Sequence, residues 1–551
     1  MSTPAGKPAT QTAGKDVTLY DSTLRDGAQS EGISYSVEDK VKIAHRLDEF
    51  GMDYIEGGWP AAGNQTDLEF FHRLREAPLR RARLVAFAAT RRPKIAASED
   101  RHLRSVLAAG APAVAIVGKS WDLHVVDVVR TTLDENLAMI EDTVRLCKER
   151  DLEVIFDAEH FFDGFSDNAD YAMATVTAAQ RAGADLICLC DTNGGALPHA
   201  VMETVGAARS ALGAPLGIHA HNDGDLAVAN TLAAVQAGAV QVQGTMNGYG
   251  ERCGNANLCS IIANLQLKLN KRCLADEALA RLYEVAHYVA EVANQAPQER
   301  QPFVGRSAFA HKGGLHVDAV MKRPETYEHI PPERVGNQRR LLVSDQAGAG
   351  TVVFKAKGLE IDLTKDSPET RELMRRLKEM EHEGYQFEGA EASFELLIKK
   401  TMGLYRRLFD FQGFRVIVER RPSGEIASEA TIMVTVNGEK EHTAAEGDGP
   451  VHALDGALRK ALEQFYPDIA DIKLTDFKVR VIEGKAGTAA KVRVLVESSD
   501  KTDSWSTVGV HTNIIEASWQ ALVDGVEYGL AKAGAQPRLP AKRARRRASE
   551  A

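Results

Sequence analysis

Three stretches carry residue types that could do chemistry together. The first is Asp21-Ser22-Thr23-Leu24-Arg25-Asp26-Gly27-Ala28-Gln29-Ser30, which follows the apolar run Val17–Tyr20. Carboxylates and an arginine leaving a strand end within a few residues sit where α/β folds place reacting groups. Asp26 could bind a cation and Arg25 could polarise a carbonyl oxygen. A solvated surface turn bending at Gly27 would use the same residues. The second stretch is Leu216-Gly217-Ile218-His219-Ala220-His221-Asn222-Asp223. Residues two apart on a strand face the same side, so His219 and His221 present two imidazoles together. With one carboxylate, naturally Asp26, they make a three-ligand site that leaves positions open for substrate. The third is the glycine-rich run Gly244–Asn257. Its backbone N–H groups could bind phosphate, and Asn255 could reach the cation through its side-chain oxygen.

These stretches need a frame that brings them to one place. From Val17 to about Leu269 a unit recurs: a short apolar run, a polar turn, then an amphipathic helical pattern. The runs are Val17–Tyr20, Tyr54–Gly57, Leu84–Ala88, Ala113–Val117, Glu153–Phe156, Asp185–Leu189, Leu216–His219 and Val240–Gly244. Helical patterns lie between them at Val37–Phe50, Leu133–Arg150, Ala169–Ala182, Ala200–Ala211 and Leu226–Ala237. Gly51, Gly110, Gly183 and Gly238 follow helices as C-terminal caps. Eight strands alternating with helices over ~250 residues predict a (β/α)8 TIM barrel. A doubly wound sheet would have fewer strands and a phosphate-binding glycine loop after the first. In a barrel every strand's carboxyl end faces one mouth. Those ends supply Arg25, Asp26, Glu56, Lys119, Asp157, Glu159, Asp191, His219 and His221.

Past the barrel, residues from about 270 to 350 read as helical, then loop-rich, and Leu363–Glu381 reads as a helical connector. From about Phe387 strands dominate, as in Arg415–Glu419, Thr431–Val436 and Lys491–Val496. Helices Pro450–Phe465 and Asn513–Leu530 interrupt them, a weak duplication of strands plus helix. The expected division is a disordered tail at 1–15, a catalytic barrel at 16–285 and linker subdomains at 286–386. An α+β regulatory and dimerisation domain at 387–535 and a basic disordered tail at 536–551 complete it.

Composition bounds the rest. A chain of 551 residues is long for one domain. It is 44% hydrophobic and 26% charged, as soluble globular proteins are. A net charge of −10 argues against a general nucleic-acid binder. No apolar run approaches the ~20 residues that cross a membrane, and the N-terminus lacks the apolar core of a secretory signal. The six cysteines include Cys188-Leu189-Cys190, a strand alternation and not a redox spacing. They read as reduced thiols of a cytoplasmic protein.

The combination of Asp21–Gly27, His219-Ala220-His221-Asn222 and Gly250-Glu251-Arg252-Cys253-Gly254-Asn255-Ala256 resembles the DRE-TIM metallolyase superfamily. Within it the chain, from about Val17 to Leu530, is similar to the 2-isopropylmalate, homocitrate and citramalate synthases. Tyr54–Pro60 with Asp67–Phe71, and His316–Val320 with Thr326–Ile330, look like the citramalate branch. The loop Ala61–Asn64 departs from that branch by an extra residue or two.

The resemblance implies an acyltransferase that joins the methyl carbon of acetyl-CoA to pyruvate and then hydrolyses the thioester, feeding isoleucine synthesis. Relatives use larger 2-oxo acids. It implies a divalent cation, Mn²⁺, Mg²⁺ or Zn²⁺, on Asp26, His219, His221 and Asn255. Substrate binding falls to Arg25, Asp26 and Thr192, and catalysis to Arg25, Glu159, His316 and Tyr327. His316 is the implied base, delivered over the mouth by a partner subunit. A homodimer is implied, with isoleucine as feedback inhibitor. Its carboxylate would meet helix starts near Gly447–Pro450 and Gly509–Thr512, and a chain ending near Glu381 would lose the inhibition. As an exposed mouth residue, Arg25 would contribute little to folding.

Overall fold

The computed structural model describes residues 14–61, 63–342, 349–482 and 489–538. Both expected tails lie outside the described residues, apart from 14–15 and 536–538, and so does Ala62 of the Ala61–Asn64 loop.

Eight parallel strands close into a barrel in sequential order. They are β1 (Thr18–Asp21), β2 (Tyr54–Gly58), β3 (Arg83–Ala89), β4 (Ala113–Lys119), β5 (Glu153–Glu159), β6 (Leu186–Asp191), β7 (Leu216–Ala220) and β8 (Gln241–Gly244). β8 returns to β1 in the register Thr18↔Gln241 to Asp21↔Gly244, which leaves no sheet edge. The barrel expectation therefore holds and the doubly wound alternative falls. β4 and β5 run on to Lys119 and Glu159, past the apolar runs that announce them. An apolar pattern stops at the first charged residue, whereas a barrel strand continues into its polar mouth.

Helices return the chain between strands: α1 (Val37–Phe50), α2 (Gln65–Glu76), α3 (Arg101–Ala108), α4 (Leu133–Lys148), α5 (Phe161–Asp167), α6 (Ala169–Arg181), α7 (Pro198–Ala211) and α8 (Ala227–Ala237). α1 shows why they form. Ser36 caps Asp39 N–H while the Asp39 carboxylate accepts from Ser36 N–H, satisfying two orphan donors. Gly51 ends the helix at φ 111°, in the left-handed region. One apolar cluster fills the space between barrel and helices, with Leu19, Ile43, Leu47, Phe70 and Ile116 fully buried in it or nearly so. A second, smaller one fills the barrel interior with Tyr20, Tyr54, Val85, Ala115, Ile155 and Cys188.

The described residues fall into two compact units. The first runs to Phe309 and adds Glu328–Arg339. The second holds Ala310–Tyr327 and the described chain from Arg340. In the second unit the connector helix is Pro368–Glu383, not Leu363–Glu381. Ser367 caps it and Pro368 takes its first turn, so the charged residues before them stay outside. Beyond that helix strands begin only at Asp410, because Glu391–Thr401 is a further helix that buries Ala392, Phe394, Leu397 and Ile398 at helical spacing.

Two three-stranded antiparallel sheets follow, each succeeded by a helix. Asp410–Arg420, Ile426–Val436 and Glu439–Gly447 precede the helix Pro450–Leu462. Lys473–Val481, Val492–Ser499 and Ser504–His511 precede the helix Ile514–Lys532. Ala430, Ile432, Val434 and Val436 alternate along one buried face, packed with Leu454, Leu458 and Leu462 of the first of these helices. The two helix starts differ. Asn513 accepts from Ile515 N–H at 2.8 Å and Glu516 N–H at 3.3 Å, which uses the donors expected to meet a ligand near Gly509–Thr512. Gly449, the residue before Pro450, makes no side-chain cap.

Candidate active site

The site begins where β1 ends. Arg25 Nε lies 2.8 Å from Glu56 Oε2, and its Nη1 lies 3.5 Å from Asp26 Oδ2. Glu56, fully buried on β2, also accepts from Tyr20 Oη at 2.9 Å and from Ser22 Oγ. The guanidinium carbon sits 4.0 Å above the centre of the Phe87 ring, a cation–π contact. Burial works against the Arg25 charge, but Glu56 and then Asp26 outweigh it and raise its pKa. The side chain is only 17% exposed. Arg25 is thus not the exposed mouth arginine expected, because it must lie down onto a carboxylate at the barrel's rim to pair with it.

Asp26, His219 and His221 converge, all three buried. Asp26 Oδ2 is 3.4 Å from His219 Nε2 and 3.9 Å from His221 Nε2, and the two imidazole nitrogens are 3.3 Å apart. Burial would raise the Asp26 pKa, but Arg25 and then the two histidines hold it well below the usual carboxylate range. Burial and then His219 push His221 down to about 4, whereas His219, opposed by burial, is raised by its bond to Asp26. An antiparallel bridge sets Asn255 beside His221. The Asn255 Oδ1 and His221 Nδ1 atoms are buried and have no hydrogen-bond partner. Two imidazole nitrogens, a carboxylate oxygen and a buried carbonyl oxygen without a donor are what a divalent cation requires, so these residues fit one.

The glycine-rich run holds Asn255 there and spends its own donors to do so. Gly248 N–H bonds Thr245 O at 3.2 Å, Gly250 N–H bonds Ser30 Oγ at 3.4 Å, and Gly254 N–H bonds Glu251 O at 2.8 Å. Gly254 has φ 92°, and a side chain on it would strike the Gly248 carbonyl. These bonds count against the phosphate reading of this run.

A cavity of about 490 Å³ opens above the convergence. Its polar lining includes Arg25, Asp26, Glu159, Thr192, His219 and His221, and Trp59, Phe87, Val117 and Met139 give it apolar walls. Glu159 pairs with Lys119 across neighbouring strand ends. Thr192 Oγ1 accepts from His160 N–H at 2.9 Å, which leaves its own hydrogen to donate. All lining residues belong to the first unit. His316 and Tyr327 belong to the second, where their rings stack at 4.1 Å.

Residue types alone undervalued three side chains. Glu56 holds Arg25, and Asp157 and Gln243 lie buried under the histidines. The available signal was polar residues inside apolar strands, as in Gln241-Val242-Gln243. Asp157 also meets Cys188 and Cys190, which face the barrel interior as their alternation predicts. All six cysteines are free thiols.

Known proteins match this arrangement over nearly its whole length. Residues 16–289 match the HMGL-like family, 303–385 the homocitrate synthase post-HMGL domain-like family, and 388–530 the LeuA allosteric (dimerisation) domain. The chain is 53% identical to the (R)-citramalate synthase of Geobacter sulfurreducens, over 94% of the chain and 98% of the relative. It is 55% identical to that of Synechocystis, over 93% and 96%, and 54% identical to that of Aquifex aeolicus, over 94% and 98%. With an eight-stranded barrel, a buried Asp–His–His convergence and identity above half over almost all residues, the chain belongs to the (R)-citramalate synthase family.

Proposed function

We propose that the protein joins the methyl carbon of acetyl-CoA to the keto carbon of pyruvate and hydrolyses the thioester, releasing (R)-citramalate and CoA. The observation that carries this is the convergence of Asp26, His219 and His221 beside Arg25 in one cavity. Asp26, His219 and His221, with Asn255, would hold the divalent cation. When bound, Mg²⁺, Mn²⁺ or Zn²⁺ there polarises and orients a 2-oxo acid.

The chain's own residues do the remainder. Arg25 donates toward the keto oxygen as it gains negative charge, and Glu56 keeps the guanidinium in position. Thr192 donates its hydroxyl hydrogen to the acceptor's carboxylate. Trp59, Phe87, Val117 and Met139 keep water from the carbon that attacks. His316, delivered by a partner subunit as the family resemblance implies, takes the methyl proton of acetyl-CoA, assisted by Tyr327 and by Glu159 of the receiving mouth. The test is CoA release from acetyl-CoA with pyruvate, 2-oxoisovalerate or 2-oxoglutarate. Pyruvate should be the best acceptor, and a preference for 2-oxoisovalerate would refute this reading.

The match of residues 388–530 to an allosteric dimerisation domain supports a homodimer with an allosteric effector, and isoleucine, the end product that (R)-citramalate would feed, is the proposed inhibitor. The uncapped helix start at Gly449-Pro450 is where the inhibitor's carboxylate would bind. Six free thiols fit a cytoplasmic protein, and among the described residues no helix is long and apolar enough to cross a membrane.

A further inference from the structure

Register alone puts Gln243 beside His219. Gly217 of β7 pairs with Gln241 of β8, so two residues further along both strands His219 and Gln243 share one face. His219 Nδ1 lies 3.2 Å from Gln243 Oε1. The other end of the same amide is committed as well. Gln243 Nε2 donates to Asp157 Oδ1 at 3.1 Å and lies 3.4 Å from Gln241 Oε1. Gln243 and Gln241 are 1% exposed, Asp157 4% and His219 6%.

We propose that Gln243 is a positioning residue that fixes which nitrogen of His219 faces the cation, and that Asp157 orients Gln243 for that task. This rests on the reading that Asp26, His219 and His221 hold a divalent cation. Asp157 Oδ1 and the Gln241 amide oxygen both accept from the NH₂ end of Gln243, which turns Oε1 to His219. An acceptor at Nδ1 requires hydrogen on Nδ1. In the neutral ring Nε2, the nitrogen facing Asp26 and His221, then keeps its lone pair. With the amide reversed, two donors would collide at Nδ1, or the ring hydrogen would move to Nε2 and block the ligand position. Both glutamines of Gln241-Val242-Gln243 belong to this chain, because Gln241 supplies the second acceptor for the same NH₂ group.

A glutamine that only filled space would be replaceable by methionine, which has similar length and no hydrogen bonds. The test is titration of the cation-free protein with Mn²⁺ alone, followed by electron paramagnetic resonance. The proteins compared are wild type, Gln243→Met, Gln243→Glu with Asp157→Asn, and His219→Ala, with thermal unfolding of each. The expected result is a ~10–100-fold weaker Mn²⁺ affinity in Gln243→Met, the range for lost partners of metal-bound histidines. Gln243→Glu combined with Asp157→Asn should recover most of it, since the new carboxylate accepts from Nδ1–H and the new amide donates to it. Equal affinity in Gln243→Met and wild type would overturn the proposal while leaving the cation site in place. Equal losses in both Gln243 variants would also overturn it, by pointing to packing. A wild type that binds no Mn²⁺, or a His219→Ala that binds as wild type does, would overturn the cation reading and this one with it. Nitrogen-15 spectra of the Zn²⁺-loaded wild type need no folded variant. They should show the His219 proton on Nδ1, and a proton on Nε2 would refute the assignment.

Discussion

Glu56 accepts from Arg25 Nε at 2.8 Å while fully buried, and Arg25 is its only charged partner among the described bonds and ion pairs. Removing Arg25 strands the Glu56 carboxylate, whereas Arg25 keeps Asp26 when Glu56 is removed. A half-broken buried pair costs about 3–5 kcal/mol. Arg25→Ala should therefore lose stability by that order as well as ~10²–10³ in kcat, the usual loss for a donor to a developing oxyanion. The double variant Arg25→Ala, Glu56→Gln should regain most of the stability and none of the turnover. Urea unfolding and CoA release measure the two. Arg25→Ala with wild-type stability would show that the pair is not the buried unit described.

The cation should bind more weakly as pH falls, with the displacement of one proton. His221, pushed down to about 4, is neutral through the ordinary histidine range, whereas the raised His219 still carries a proton there. A cation must displace that one proton, so affinity rises with pH through the His219 pKa and levels off above it. Mn²⁺ titrations from pH 5 to 8 should give a limiting slope near one. His219→Ala should lose Mn²⁺ binding and activity together.

Asp21 should make the cation-free protein less stable at high pH. Burial raises it to about 7 from 3.8, although Thr23 N–H and Oγ1 both donate to it at 2.9 Å. The folded state thus keeps a proton that the unfolded chain has already lost. Stability falls as pH rises from about 4 to about 7 and is level above. Between pH 5 and 8, Asp21→Asn should gain about 2–3 kcal/mol relative to wild type. Urea unfolding of both proteins at the two pH values checks the sign; a wild type that gains stability relative to Asp21→Asn as pH rises would contradict it.

Isoleucine should inhibit CoA release, and Gly449→Asp should weaken that inhibition at least ~10-fold with kcat unchanged. A side chain at Gly449 meets nothing within 4 Å. An aspartate there would cap the helix itself and repel a carboxylate. Truncation after Glu381 is a poor substitute. Val352, Ala356, Phe387, Phe394 and Ile398 share one apolar cluster with Val508 and Val510, and that cut would divide it. Unchanged isoleucine sensitivity in Gly449→Asp would place the inhibitor elsewhere.

Local chemistry made much of this protein legible in one dimension. Short apolar runs between capped amphipathic helices specify eight strands, and alternation within Leu216–Asp223 specifies that His219 and His221 share a face. Both depend only on neighbours along the chain, so no contact map is needed. The pairing of Asp26 with those histidines could be read because a barrel sends every strand end to one mouth. What could not be read depends on closure and depth. Glu56 and Arg25 are 31 positions apart and Gln243 and Asp157 are 86 apart, and their bonds exist only because β1 closes between β2 and β8. Arg25 looked exposed because an arginine usually is, and the fold reversed that by setting a buried carboxylate within its reach. The Gly250–Asn255 run shows the same limit. Its glycines mark a turn in any sequence, but only the folded loop decides that their N–H groups bond the protein itself and leave the Asn255 oxygen free.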